Sequence, residues 1–206
     1  RFRKRPISMF SYDLVAGHRV VLGPADLFDD CHEHQDPATL PLSEATRLLF
    51  NRCSGLLLAK QRLDPDTLSD ENRDFVGRNL AKARLAFGAA VLTVFGRYHW
   101  SCQKRHSRLN ALSADGEVPH FERVRELHKK GVDFKLHPTL TRSAAGPLRE
   151  QHQELSALGR DLWLWCEGKR LNHPFETPSV YALSKVPKCP EQSALQGRLA
   201  HCRRLG

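Results

Sequence analysis

The densest run of chemically capable side chains lies at residues 97–108, Arg97-Tyr98-His99-Trp100-Ser101-Cys102-Gln103-Lys104-Arg105-His106-Ser107-Arg108. It holds four permanent cations, two histidines and two aromatics with no acid among them. Guanidinium and ammonium groups beside aromatic rings suit phosphate binding combined with base stacking. Written as a helix, His99, Cys102 and His106 share one face at i, i+3 and i+7. Those are metal-ligand types, but the site needs an imported fourth ligand, and no metal is assigned. Two readings remain, a polyanion-binding face or a solvated basic end of a long helix favoured by its dipole. Arg97, His99, Trp100, Arg105 and His106 are the candidate substrate-binding residues of this run.

Three further groups carry weaker signals. Arg52 with Lys60, and Arg78 with Lys82, place matching cations on two successive helical segments, and antiparallel packing would set them across a cleft; routine surface charge is the alternative. Cys31-His32-Glu33-His34 beside Asp29 and Asp30 is metal-like in composition, but adjacent ligands in one loop rarely close a tetrahedral site, and it reads as a solvated acidic loop. Arg123 and His128 fit the loose Arg-x4-His pattern of HEPN-type helical ribonucleases, a pattern with meaning only where both residues line a cleft. The chain has no Gly-rich phosphate loop, no His-Glu-x-x-His, no Gly-x-Ser-x-Gly and no Cys/His zinc framework.

The elements expected to position these groups are mostly helices. Pro41 introduces a helix over 42–63 whose Leu42, Ala45, Leu48, Leu49, Cys53, Leu56 and Leu57 recur at helical spacing. Ser69-Asp70-Glu71 opens a second, read as one bent helix over 70–111, with Gly77, Ala81, Gly88 and Gly96 allowing a close neighbour. Pro119 begins a third that Gly131 stops, and Val132-Asp133-Phe134-Lys135-Leu136 alternates as an extended segment would. Pro147 starts a fourth, residues 173–190 read as a Pro-rich irregular crossing, and a fifth helix is expected over 191–204. In residues 7–22, Phe10, Tyr12 and Leu14 alternate with Ser11 and Asp13 before Ala16-Gly17-His18, which predicts a strand, a turn and a second strand. The fold class is therefore mainly α: a helical bundle of about five helices with a short N-terminal β-hairpin. Its parts are a hairpin at 1–24, the main bundle at 42–172, and the crossing segment with the C-terminal helix at 173–206.

Lys and Arg number 32 against 23 Asp and Glu, a formal net charge of +9 with an isoelectric point near 9.5. That balance favours nucleotides, nucleic acid or acidic surfaces as partners. The six cysteines are scattered with no Cys-x-x-Cys pair and no signal peptide precedes them, which reads as a reduced, cytoplasmic protein. The longest apolar stretch, residues 86–95, falls well short of the about 20 residues a membrane-spanning helix needs. The start, Arg-Phe-Arg-Lys-Arg-Pro, reads as an interior segment of a longer protein.

The segment from Pro6 to Gly23, with Phe10-Ser11-Tyr12-Asp13-Leu14 and then Val20-Val21-Leu22-Gly23, is followed by Glu44-Ala-Thr-Arg-Leu-Leu-Phe-Asn-Arg-Cys-Ser-Gly-Leu-Leu58. Together they resemble the part downstream of the active site in polymerase-β-type nucleotidyltransferase-domain proteins. The resemblance spans about the first quarter of the chain. It implies a catalytic α/β domain before Arg1 and a helical bundle that closes over the nucleotide or acceptor. The family's Gly-Ser signature and its Asp-x-Asp pair are absent from this chain. Those carboxylates hold the Mg²⁺ ions, so the resemblance implies Mg²⁺ in the parent protein, none here, and no catalysis by this chain alone. Asp13 either matches the third carboxylate of such a site, which makes it the candidate catalytic residue, or is an ordinary strand-end Asp. The leading expectation is an accessory helical domain holding a nucleotide or acceptor on a basic helix face, with a missing N-terminal domain or partner. The alternative is a nucleic-acid-binding or HEPN-like helical module.

Overall fold

A computed structural model describes residues 5–24, 26–64 and 68–190. Mainly helical architecture holds throughout these residues, and none of them forms a strand. The expected hairpin is instead a helix, α1 (Met9–Gly17). Ser8 caps it: its hydroxyl accepts from the Ser11 N–H, while the Ser11 hydroxyl accepts from the Ser8 N–H, a reciprocal capping box. Met9, Tyr12 and Val15 then face inward at helical spacing, and Phe10 and Leu14 are exposed one turn apart on the other side. Val21 and Leu22 are almost fully exposed and pair with no strand.

α2 (Leu42–Leu63) matches the expected span and buries Ala45, Leu49, Leu56, Ala59 and Leu63. Leu57, expected on that stripe, faces solvent. α3 (Asp70–Val94) starts at Ser69, whose hydroxyl accepts from the Asn72 N–H, with Asp70 and Glu71 at the positive end of the helix dipole. It does not run on to residue 111. Gly96 adopts φ +64°, a left-handed conformation that turns the chain, and a Cβ there would meet the Ala38 Cα at 3.3 Å. A new helix, α4 (Cys102–Asn110), follows with Ser101 as its cap.

α5 (Phe121–Leu136) passes through Gly131 without stopping, so residues 132–136 are helical rather than extended. Gly131 is needed for contact, not termination. A Cβ there would meet Leu85 Cγ at 2.9 Å and the Ala81 carbonyl at 3.2 Å, so α5 lies with its backbone against α3. α6 (Ala145–Leu171) ends at Asn172 in a left-handed conformation. A short α7 (Pro178–Leu183) interrupts the Pro-rich segment. The helix expected over 191–204 lies outside the described residues.

α3 is the centre of the bundle, packed on α2, α4, α5 and α6. One core joins Leu49, Leu80, Phe87, Leu127, Leu155 and Leu162 from four of these helices. A second, smaller cluster of Met9, Tyr12, Leu40, Ala89 and Tyr98 fastens α1 to the bundle. Among the described residues, no helix is long and apolar enough to cross a membrane.

Candidate functional site

α1, α2, α3 and α5 enclose a groove of about 750 Å³. On α2, the pairs Arg47-Leu48 and Asn51-Arg52 follow Glu44 at steps of three and four residues and so present one face to it. Lys82, Leu85, Ala86 and Ala89 do the same on α3. α1 contributes Met9, Phe10 and Asp13, and α5 contributes Phe134 and Lys135. Tyr98 and Arg105 reach it from the chain after α3.

Five cations in this lining, Arg47, Arg52, Lys82, Arg105 and Lys135, face two carboxylates, Asp13 and Glu44. Glu44 is already committed, accepting from the Met9 N–H at 2.6 Å and from Arg47 at 2.6 Å. Among the described residues, no carboxylate forms an ion pair with Arg52, Lys82 or Lys135. The groove is therefore cationic, with Phe10, Leu48 and Phe134 as apolar wall.

Part of its lining is a buried polar chain of Asp13, Tyr98 and Arg105. Arg105, only 7% exposed, donates from Nη1 to the Tyr98 hydroxyl at 3.1 Å, and that hydroxyl donates to Asp13 Oδ2 at 3.2 Å. The Arg105 guanidinium lies 5.0 Å from the centre of the Tyr98 ring, a cation–π contact. Among the described residues, Asp13 Oδ1 and Arg105 Nε are buried without a hydrogen-bond partner. Burial raises the Asp13 carboxyl above its ordinary value, against the opposing pull of Arg105, the Tyr98 hydrogen bond and Lys135. Tyr98 is raised too, by burial first and then by the neighbouring Asp13 charge, so it remains a hydroxyl donor at neutral pH.

The basic run at 97–108 is not one solvated face. Arg105 also donates to the carbonyls of His99 at 2.6 Å and Trp100 at 3.1 Å, and Arg108 to those of Tyr98 at 2.6 Å and Arg97 at 3.1 Å. Two of the four cations thus hold the turn between α3 and α4. Arg97 lines a separate cavity with Asp36, Phe95 and Arg108. His99 accepts from the Ser101 N–H at 3.0 Å, and burial followed by Arg108 and Arg105 holds its pKa down. Trp100 covers Gly17 at the end of α1. His106 stacks on His128 with ring centres 5.6 Å apart.

Of the residues expected to bind substrate, Arg52, Lys82 and Arg105 line the groove, together with the candidate Asp13. Lys60 is exposed and does not line it, and Arg78 pairs with Asp74 on its own helix. Arg47, Lys135, Phe134 and Tyr98 were not expected. Continuing the helical period of α5 past Gly131 would have brought Phe134 and Lys135 into view.

The other clusters resolve structurally. Asp29, Asp30 and Glu33 are exposed, as a solvated acidic loop requires, but Cys31 and His34 are buried, and the His34 ring bonds the Ser11 hydroxyl at 3.1 Å, so this loop also braces α1. Arg123 bonds Glu126 at 2.6 Å and Glu154 at 2.5 Å, while His128 is fully buried against Gly88 and His106; the two do not line one cleft. Among the described residues, no three His, Cys, Asp or Glu side chains converge as metal ligands. Asp13 sits on a helix, its Oδ2 taken by Tyr98 and with guanidinium and ammonium neighbours, and this does not fit a Mg²⁺ site. No family model matches the chain, and no curated protein or solved structure matches it either.

Proposed function

We propose that this chain is an accessory helical domain of a nucleotidyltransferase-like protein, and that it holds a nucleotide or phosphorylated acceptor in the groove among α1, α2, α3 and α5. One observation carries the reading. Arg52, Lys82, Lys135 and the buried Arg105, drawn from three helices and a turn-anchored fourth, converge on one groove that also has an apolar wall. Separated cations suit several phosphate oxygens, and Phe10 and Phe134 suit a flat, weakly polar body such as a nucleobase. Mg²⁺, on this reading, belongs to the catalytic domain of the parent protein and plays no part in the grip described here. The basic groove, not the outer face of residues 97–108, is the ligand's seat.

The test is a calorimetric titration of the chain with ATP without Mg²⁺, in wild type and in Arg52→Ala/Lys82→Ala. Each charge-assisted contact is worth about 1.5 kcal/mol or more, so the double variant should bind at least about a hundredfold more weakly. Affinity should also fall steeply between 50 mM and 200 mM salt. Equal affinity in the two proteins, or no heat at millimolar ATP, overturns the assignment. Tighter binding of a short single-stranded RNA than of ATP, equally lost in the double variant, would favour the nucleic-acid-binding alternative.

A further inference from the structure

The groove is rich in charge and poor in neutral hydrogen-bonding groups, and this sets what it can tell apart. Four helices supply most of its walls, and their backbone N–H and C=O groups are largely bonded along the helices, so side chains must read a ligand. Among the described residues, the neutral polar side chains of the lining are Asn51 and Tyr98, and the Tyr98 hydroxyl is already engaged by Asp13 and Arg105. Glu44 is held by the Met9 N–H and Arg47. Nucleobases differ in the donors and acceptors along their edges, and large discrimination arises where a wrong edge leaves buried polar groups of the site unpaired. Asn51 is exposed and stands alone in this respect. The apolar wall of Phe10, Leu48 and Phe134 accepts any base, because every base has a π-face. Charge is different. Five cations against two carboxylates leave three positive charges uncompensated within the lining, and each further phosphate on a ligand adds negative charge and acceptor oxygens to meet them.

Resting on the reading above, we infer that the groove selects its ligand by the number of phosphates and not by the base, so that it takes nucleoside triphosphates as a class. Arg52 on α2, Lys82 on α3 and Lys135 on α5 are the residues that set this preference. No carboxylate of the described residues is paired with any of them, so their attraction is spent on the ligand. Because they come from three helices, a chain of phosphates meets more of them than a single phosphate does.

Calorimetry on the intact wild-type chain, without Mg²⁺ and at about 50 mM salt, compares ATP, ADP and AMP, and then ATP with GTP, CTP and UTP. Each phosphate removed should weaken binding about tenfold, the worth of about one charge-assisted contact. The four triphosphates should agree within about tenfold, the spread that differences in stacking give. In Lys135→Ala, an exposed helix position where alanine keeps the helix, ATP should lose about tenfold and AMP less, so that the gap between them narrows. The same narrowing in Lys60→Ala, an exposed lysine outside the lining, would assign the preference to overall charge and overturn the inference. AMP binding within about threefold of ATP overturns the selection by phosphate number and leaves the groove assignment standing. A preference of about a hundredfold for one base overturns the indifference to base. Failure of ATP, ADP and AMP alike to bind overturns both this inference and the reading it rests on.

Discussion

Two basic regions of this molecule use the same residue types for opposite ends. In the turn between α3 and α4, Arg105 and Arg108 spend their donors on four backbone carbonyls of residues 97–100, so their charge is absorbed by the chain itself. On the facing sides of α2, α3 and α5, Arg52, Lys82 and Lys135 surround a groove with no carboxylate of the described residues paired to them. The first region is the richer in cations along the sequence, and the second is the richer in cations still open to a ligand. Charge density along a chain therefore measures supply, while function depends on which acceptors the fold has already provided. Arg105 belongs to both regions, closing the turn through Nη1 and also lining the groove.

The comparison breaks most visibly at Arg105. Arg105→Ala would strip donors from three acceptors, the Tyr98 hydroxyl and the carbonyls of His99 and Trp100, and would leave Asp13 with only the weaker pull of Lys135. Loss of a buried, multiply bonded cation costs about 3 kcal/mol or more. Urea unfolding should show that loss for Arg105→Ala and almost none for Arg52→Ala, while ligand titration of Arg52→Ala shows the reverse. A stability loss in Arg52→Ala as large as in Arg105→Ala would erase the distinction between structural and ligand-facing cations.

The next effect comes from the histidine pair behind that turn. Burial, with Arg105 and His106 adding positive field, pushes His128 down to about 3. Its folded pKa lies below the unfolded value of about 6.5, so its contribution to stability is complete above that value and is lost as pH falls toward 3. Each unit of pH below about 6.5 removes about 1.4 kcal/mol, so moving from pH 7 to pH 5 should cost this group about 2 kcal/mol. Urea unfolding at the two pH values measures it. His128→Leu should lose less over the same interval, and an equal loss in both proteins would assign the acid sensitivity elsewhere.

How much of this was legible in the sequence depends on how many signals agreed at each place. α2 was readable because Pro41, the apolar period from Ala45 to Leu56 and its length all pointed one way. The start of α3 was readable from Ser69-Asp70-Glu71. α1 was not: over so few residues Phe10, Tyr12 and Leu14 satisfy a period of two, while Met9, Tyr12 and Val15 satisfy a helix, and the Ser8–Ser11 capping box that decides between them is a weak local cue. Gly131 misled for a different reason, because its missing side chain serves the approach of α5 to α3. That one misreading hid Phe134 and Lys135. Within the site, Arg52 and Lys82 could be foreseen from matched charge on neighbouring helices. The inward turn of Arg105 could not, since the carbonyls it bonds exist as a cluster only once Gly96 has turned the chain.

The smallest expected effect sharpens the same contrast from outside the groove. Arg78 and Lys60 were foreseen beside Lys82 and Arg52 by the same reasoning, yet Arg78 is matched by Asp74 one turn earlier and Lys60 lies toward the far end of α2. An exposed pair one helical turn apart contributes about 0.3 to 0.5 kcal/mol, so Arg78→Ala should barely move the unfolding midpoint. Ligand affinity should likewise stay within about twofold in Arg78→Ala and Lys60→Ala once salt screens their more distant charges. Titration of the two variants at 150 mM salt checks this. A tenfold loss in either would extend the ligand's footprint along α2 and α3 beyond the groove, and would make total surface charge, not the local absence of paired carboxylates, the property that selects the ligand.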